Sequence, residues 1–201
     1  MEIELLIATS NQGKVREIQE LFSGTAVRFR SLLDFPSVIE VPETGSTFEE
    51  NAVLKARGYA SQTGLWALAD DSGLEIAALN DAPGVLSARY GGDEKSFEQK
   101  MSMLLGEMKL AYDKRRDARF VCSMALANST HDILATSTGI CNGVIAKVPR
   151  GTNGFGYDPM FIPAGFGKTF GELSDDIKRE ISHRARASVK IMRYLLGFIA
   201  V

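Results

Sequence analysis

Residues 66–74 read Trp-Ala-Leu-Ala-Asp-Asp-Ser-Gly-Leu, an apolar run that ends in two adjacent carboxylates, a hydroxyl and a glycine. No other stretch limits the fold so strongly. Adjacent carboxylates at the end of a buried run are costly, because each must shed water without a counter-charge. A divalent cation removes that cost. If Asp70 and Asp71 both lie on one extended strand, their side chains leave it on opposite sides. One then faces the core or a helix end and the other a cleft, and the spacing does not decide which is which. Ser72 and Gly73 next allow a tight turn at which a backbone or ligand can approach closely. The plainer reading is a polar turn after a strand, with Asp70 capping something nearby.

At 201 residues the chain is long enough for one large domain or two intimately joined lobes around a sizeable core. Its 45% hydrophobic and 24% charged residues are those of a soluble globular protein. With 23 basic and 25 acidic residues, the formal charge of -2 argues against duplex nucleic acid or an acidic membrane as partner, since both favour a basic face. The only cysteines, Cys122 and Cys141, lie in strand-like apolar segments without metal-ligand spacing, as buried thiols do in a reducing cytosol. The opening Met-Glu-Ile-Glu lacks a basic stretch before its apolar run, so no signal peptide is expected. No apolar run approaches the roughly 20 residues that span a bilayer, and a cytoplasmic location is expected.

Ile3 to Ala8 reads as a buried strand that breaks into Thr9-Ser10-Asn11-Gln12-Gly13-Lys14. Val15, Ile18, Leu21 and Phe22 then recur at helical spacing. A strand, polar loop and helix in that order present backbone N–H groups and the positive end of a helix dipole, which suit a phosphate, with Lys14 adding a formal charge. The segment lacks the two glycines of a Walker-type loop, and an N-capped surface helix with a solvated lysine fits equally.

Val27 to Leu33 reads as a second strand. Ser46-Thr47-Phe48-Glu49-Glu50 signals a helix start, and the helix is expected from about Phe48 to Ser61, with Asn51, Lys55 and Arg57 as its polar members. Glu43 precedes it in a loop within reach of the Asp71 turn. Phe97 to Leu110 is an amphipathic helix whose Met and Leu residues read as core, and Asp113 to Arg119 is a charged, solvated connector. Arg119 to Ala127 and Ile133 to Val148 look like a long antiparallel pair around Asn128-Ser129-Thr130. Pro149 to Phe161 is glycine-rich. Phe155 and Tyr157 offer a stacking face there, Asp158 is held extended before Pro159, and a hairpin with aromatic anchors is the alternative. A last helix is expected from about Asp175 to Leu196, burying Ile177, Ile181, Ala185, Val189 and Met192, with Lys178, Ser182, His183 and Arg184 in its first half.

In order along nearly the whole chain, these segments resemble the inosine/xanthosine triphosphate pyrophosphatase family, the Ham1-like enzymes that hydrolyse non-standard purine nucleoside triphosphates. The resemblance is carried by Thr-Ser-Asn-Gln-Gly-Lys at 9, Glu-Thr-Gly and Phe-Glu-Glu-Asn-Ala at 43 to 52, and Ala-Asp-Asp-Ser-Gly-Leu at 69. Pro-Gly at 83, Ser-Ala-Arg-Tyr at 87, Gly-Phe-Gly-Tyr-Asp-Pro at 154 and Ile-Ser-His-Arg at 181 complete it. It implies a single α/β domain of two lobes over residues 1–201, built around a long twisted mixed sheet with flanking helices and a central cleft, and a homodimer. It also implies Mg2+-dependent cleavage between the α- and β-phosphates of ITP, dITP and XTP, releasing a nucleoside monophosphate and pyrophosphate.

Carried over by position, Thr9, Ser10, Asn11, Gln12, Gly13, Lys14 and Lys55 hold the phosphates. Glu43 and Asp71 bind the metal, Asp71 is the base that activates water, and Ser72 lies beside the substrate. Phe155, Gly156, Tyr157, Asp158, Lys178, His183 and Arg184 form the nucleoside pocket. The chain departs from many relatives in carrying Pro42 where they have a second acid before the Glu-Thr-Gly.

The residue types suit that chemistry. Lysines and backbone N–H groups offset a triphosphate's charge, and Mg2+ needs only one or two protein carboxylates. Arg184 is the candidate reader of a 6-oxo purine, since adenine would set donor against donor and leave a buried group unpaired at about 1–3 kcal/mol. Two readings compete: a pyrophosphatase of the related Maf type, which the His183-Arg184 pair disfavours, and a purine-nucleotide binding module without catalysis, which Asp71 and Glu43 disfavour.

Overall fold

The computed structural model describes residues 3–112 and 114–199. Its six-stranded mixed sheet has the order β2-β1-β3-β4-β5-β6, with β1 Ile3–Ile7, β2 Val27–Ser31, β3 Trp66–Ile76, β4 Asp117–Ala127, β5 Ile133–Ile145 and β6 Phe161–Pro163. The helices are α1 Gln12–Leu21, α2 Phe48–Thr63, α3 Phe97–Leu110, α4 Asp175–Ile181 and α5 His183–Ile199. β1 runs parallel to both β2 and β3, pairing Leu5 with Phe29 on one side and with Trp66 on the other. Parallel neighbours require long crossovers, and α1 and α2 lie in those connections. β4 and β5 are neighbours joined by the turn 128–132, and so short a link joins strands of opposite direction. β6 is antiparallel to β5, with Val144 opposite Ile162.

Helix ends follow local chemistry. Asn11 caps α1 by accepting from the Lys14 N–H at 3.1 Å. Thr47 with Glu50 forms a capping box on α2 and Ser96 with Gln99 another on α3. The expected α2 is extended only to Thr63, where Gly64 ends it in the left-handed conformation.

The chain divides into two compact units, each discontinuous in sequence. The first takes the residues up to Asp71, then Cys122–Gly139, then those from His183 onward; the second takes Ser72–Val121 and Ile140–Ser182. The first unit buries both faces of its strands, as parallel sheets do. Leu5, Ile7 and Leu68 cluster with Val15, Ile18 and Phe22 of the α1 segment and with Ala187, Ile191 and Leu195 of α5. The alternate residues Leu6, Ala67 and Ala69 cluster with Ala52, Ala56 and Ala60 of α2. In the second unit, Met101, Leu104 and Met108 of α3 are core as expected, packed with Leu74, Ile76 and an aromatic group in which the Phe120 and Phe161 rings lie 4.6 Å apart.

Several expectations are corrected. β3 does not turn at Ser72-Gly73 but runs on through Leu74 to Ile76. β2 stops at Ser31, which caps a 3-10 turn over Leu32–Asp34. β4 begins earlier, at Asp117, and β5 ends at Ile145. The charged connector is not wholly solvated, because the Arg116 guanidinium donates to the carbonyls of Ile145 and Ala146 at 2.5 and 2.6 Å; Asp113 lies outside the described residues. The last helix is two helices, broken where Ser182 is extended at φ -66° and ψ 159°. Past that break the buried face holds Ala187, Ser188, Ile191 and Leu195, and Val189 is 45% exposed rather than core. Among the described residues, no helix is long and apolar enough to cross a membrane.

Candidate active site

The alternation of β3 divides the two acids. Asp70 shares the parity of Leu68 and faces α1 and α5; Asp71 shares that of Ala67 and Ala69 and faces α2. Asp70 is fully buried. Its Oδ2 lies 3.3 Å from the Lys14 Nζ and accepts from Arg184 at 2.8 Å (Nη2) and 3.2 Å (Nε). Burial alone would raise its pKa, but Lys14, Arg184 and Lys55 hold it well below the carboxylate range. Arg184, 1% exposed, also ion-pairs with Glu17. Burial opposes its charge, yet Asp70 and Glu17 raise its pKa further. The guanidinium therefore sits on two carboxylates, Asp70 and Glu17.

Asp71 has different company. Its Oδ2 accepts from the Asn51 Nδ2 at 3.1 Å, and its Oδ1 lies 3.3 Å from the Lys55 Nζ. The same ammonium donates to the Glu43 Oε1 at 2.6 Å. Burial raises the Asp71 pKa, with Glu43 adding to the rise and Lys55 opposing it. Burial opposes the Lys55 charge too, but Asp71, Asp70 and Glu43 outweigh it and raise that pKa. Glu43 is delivered by a loop folded tightly onto α2: the Gly45 N–H donates to the Asn51 Oδ1 at 2.7 Å, and a Cβ at Gly45 would lie 2.6 Å from the Glu50 Cβ. One buried asparagine thus joins the Glu43 loop to Asp71.

Thr9 to Lys14 lie between β1 and the first turn of α1, with Ser10, Asn11 and Gln12 exposed. The Lys14 N–H of that first turn donates to the Asn11 Oδ1 at 3.1 Å, and the Asn11 N–H to the Thr9 Oγ1 at 3.2 Å. His183 is buried at the start of α5.

In the second unit, Asp158 is buried in a 3-10 turn over Asp158–Met160. Its Oδ2 accepts from the Lys178 Nζ at 2.5 Å and from the Phe155 N–H at 2.8 Å. The same ammonium lies 4.7 Å from the centre of the Phe155 ring. Gly154 has φ +71°, and a Cβ there would stand 2.0 Å from the Asp158 Oδ2, so the loop closes only around glycine. Tyr157 is not an open stacking face: it is 3% exposed, packs edge-on against Phe97 at 5.2 Å and donates its hydroxyl to the Ser87 carbonyl at 2.8 Å. Phe155 and Gly156 remain half-buried, as does Ser72 on β3.

A model of the Ham1 family matches residues 5–194. The chain belongs to that family. This Ham1-family chain is 46% identical over 197 residues to a dITP/XTP pyrophosphatase of an Exiguobacterium species, covering 98% of this chain and 99% of the relative. It is 47% identical to the dITP/XTP pyrophosphatase of Geobacillus kaustophilus, covering 94% and 92%. Among solved structures, the HAM1 protein of Coxiella burnetii superposes with a TM-score of 0.89 at 43% identity, covering 97% and 99%. The Ham1 protein of Staphylococcus aureus does so at 0.84 and 38%, with the same coverage.

The sequence reading missed Asn51 and Glu17 as members of the site. The signal for Asn51 was present: an asparagine one turn before Lys55, on the same face as that lysine and beside Ala52 and Ala56, has to find a polar partner. Nothing in the spacing pointed to Glu17.

Among the described residues, no group of three or more His, Cys, Asp or Glu could hold a metal ion. Two carboxylates are nevertheless already gathered on one cation, the Lys55 ammonium between Glu43 and Asp71. An all-oxygen pair of that kind fits Mg2+, which takes one or two carboxylates and fills its remaining positions with water and phosphate.

Proposed function

We propose that the chain hydrolyses non-standard purine nucleoside triphosphates, namely dITP, XTP and ITP, at the α–β phosphoanhydride. The products are the nucleoside monophosphate and pyrophosphate, and the effect is to cleanse the nucleotide pool. The observation that carries this reading is Asp71. It is a buried carboxylate of raised pKa, oriented by Asn51 and set beside Lys55 and Glu43. The named activity of relatives aligned over nearly their full length supports the substrate class.

In this reading Thr9 to Lys14, with Lys55, hold the phosphates. Glu43 and Asp71 hold Mg2+, which supplies neutralising charge to the phosphate oxygens. Asp71 orients a water and takes its proton as the water oxygen bonds to the α-phosphorus. The bond from that phosphorus to the bridging oxygen breaks, and pyrophosphate departs with the electron pair. No covalent intermediate is needed.

The nucleoside is assigned to Phe155, Gly156, Tyr157, Asp158, Lys178, His183 and Arg184, with Ser72 beside the substrate. Lys178 and Arg184 carry only donors, which favours a 6-oxo purine over adenine. The chain is proposed to act in the cytoplasm as a homodimer, without nucleic acid or membrane as partner. Light scattering should give twice the mass of one chain.

The test is a panel of dITP, XTP, ITP, dGTP and dATP with and without Mg2+, with products resolved by ion-exchange chromatography. Monophosphate and pyrophosphate should appear in equal amounts from the first three. Orthophosphate as the product, or no turnover of dITP and XTP, refutes the proposal.

A further inference from the structure

We propose that Asp70 is a positioning residue: it fixes the Lys14 ammonium for phosphate binding while lowering the site's affinity for the polyanion. This rests on the assignment of Lys14 to the phosphates made above. The Asp70 side chain is fully buried and so reaches a ligand only through its neighbours. Its Oδ2 holds the Lys14 Nζ at 3.3 Å from one side and the Arg184 Nη2 at 2.8 Å from another. Lys14 keeps 14% side-chain exposure and, with three donors, can serve Asp70 and a phosphate together. Arg184 pairs in turn with Glu17, one turn beyond Lys14 on α1. Asp70 on β3 thereby ties the start of α1 to the start of α5.

A carboxylate behind a phosphate-binding lysine is puzzling on charge alone. It cancels part of the attraction and repels the triphosphate, so a site tuned for affinity would carry a neutral side chain there. What a carboxylate does give is a fixed position for an ammonium on a flexible four-carbon stem, ordered before the substrate arrives. Orientation matters more than affinity for the chemical step, since misplacing a reacting group by about 1 Å costs on the order of 100-fold. Asp70 therefore trades binding strength for geometry, and that trade separates it from a merely structural ion pair.

The test compares wild type, Asp70→Asn, Lys14→Met and the double variant, measuring kcat with dITP and calorimetric affinity for inorganic tripolyphosphate. Asp70→Asn should bind tripolyphosphate several-fold more tightly yet turn dITP over about 100-fold more slowly. In the Lys14→Met background the kcat change should disappear while tripolyphosphate binding is still tightened by the relieved repulsion, whereas with Phe155→Leu the kcat losses should multiply. Unchanged or weaker tripolyphosphate binding by Asp70→Asn overturns the proposal, as does a kcat loss that persists undiminished beside Lys14→Met. If Asp70→Asn does not fold because Arg184 has lost one of its carboxylates, Asp70→Asn with Arg184→Met is compared with Arg184→Met alone on the same criteria. Failure of the functional reading shows differently, as a wild-type chain that releases no pyrophosphate from dITP. The tripolyphosphate affinities then decide the role of Asp70 by themselves.

Discussion

Replacing Lys178 by methionine isolates a buried ion pair of the second unit. Its ammonium and the Asp158 carboxylate are 2.5 Å apart, with side-chain exposures of 7% and 3%. Removing one partner of so buried a pair strands the other, at about 3–5 kcal/mol. The lower end applies here, because Asp158 keeps the Phe155 N–H at 2.8 Å and methionine fills much of the lysine volume. At about 2–4 °C per kcal/mol for a chain of this size, a loss of about 3 kcal/mol lowers Tm by about 6–12 °C. Adding Asp158→Asn removes the stranded charge and should bring the double variant to within about 1 kcal/mol of wild type. Urea unfolding of the two single variants and the double one measures this, with scanning calorimetry for Tm. A Lys178→Met chain within about 1 kcal/mol of wild type refutes the reasoning, and so does a double variant no more stable than the single.

Asp71→Asn should lower kcat for dITP by about 10²–10⁴-fold, the usual worth of a general base, while calorimetry still shows dITP binding. Chelation by EDTA should abolish pyrophosphate release and added Mg2+ restore it, with circular dichroism unchanged throughout, since no metal site is needed to hold the sheet. Burial next to Asp70 pushes the Cys122 thiol up to about 12 from a usual value near 9. A group raised in the folded state contributes its stability fully below the unfolded pKa and loses it as pH climbs toward the folded one. Unfolding free energy should thus fall between pH 9 and pH 12 by about 1.4 kcal/mol per unit through this thiol, a slope that Cys122→Ala should flatten.

Much of the fold was legible because apolar spacing and caps agree locally. The β1 run, the Asn11 cap, the Thr47–Glu50 box and the α3 heptad-like Met and Leu positions each point to one structure. Ser72-Gly73 misled, because a hydroxyl and a glycine look like a turn while β3, neighbour to β4, runs on through them to Ile76. Local propensity yields to pairing in a central strand. The break at Ser182 was equally hidden, since the apolar spacing of Ile177, Ile181 and Ala185 continues across it. Lys55 and Glu43 were recognisable as site residues, but their mutual contact was not. The pairing of Arg184 with Asp70, 114 residues apart, could not be read from spacing at all.

The sharpest consequence of the fold is that two neighbouring acids have opposite electrostatics. Both sit on one strand under nearly equal burial, and the same desolvation raises each. Parity decides the rest. The even position meets an ammonium and a guanidinium and stays charged at any ordinary pH; the odd one meets an ammonium already shared with Glu43 and is left with a raised pKa. Because strand side chains repeat every two residues, a one-residue slip of β3 against β1 would exchange the two environments. It would put the acid beside Lys55 onto the α1–α5 face and leave Arg184 opposite an alanine. The Leu5–Trp66 register therefore sets the chemistry as well as the packing, because it alone determines which of the two carboxylates is neutralised and which can accept a proton.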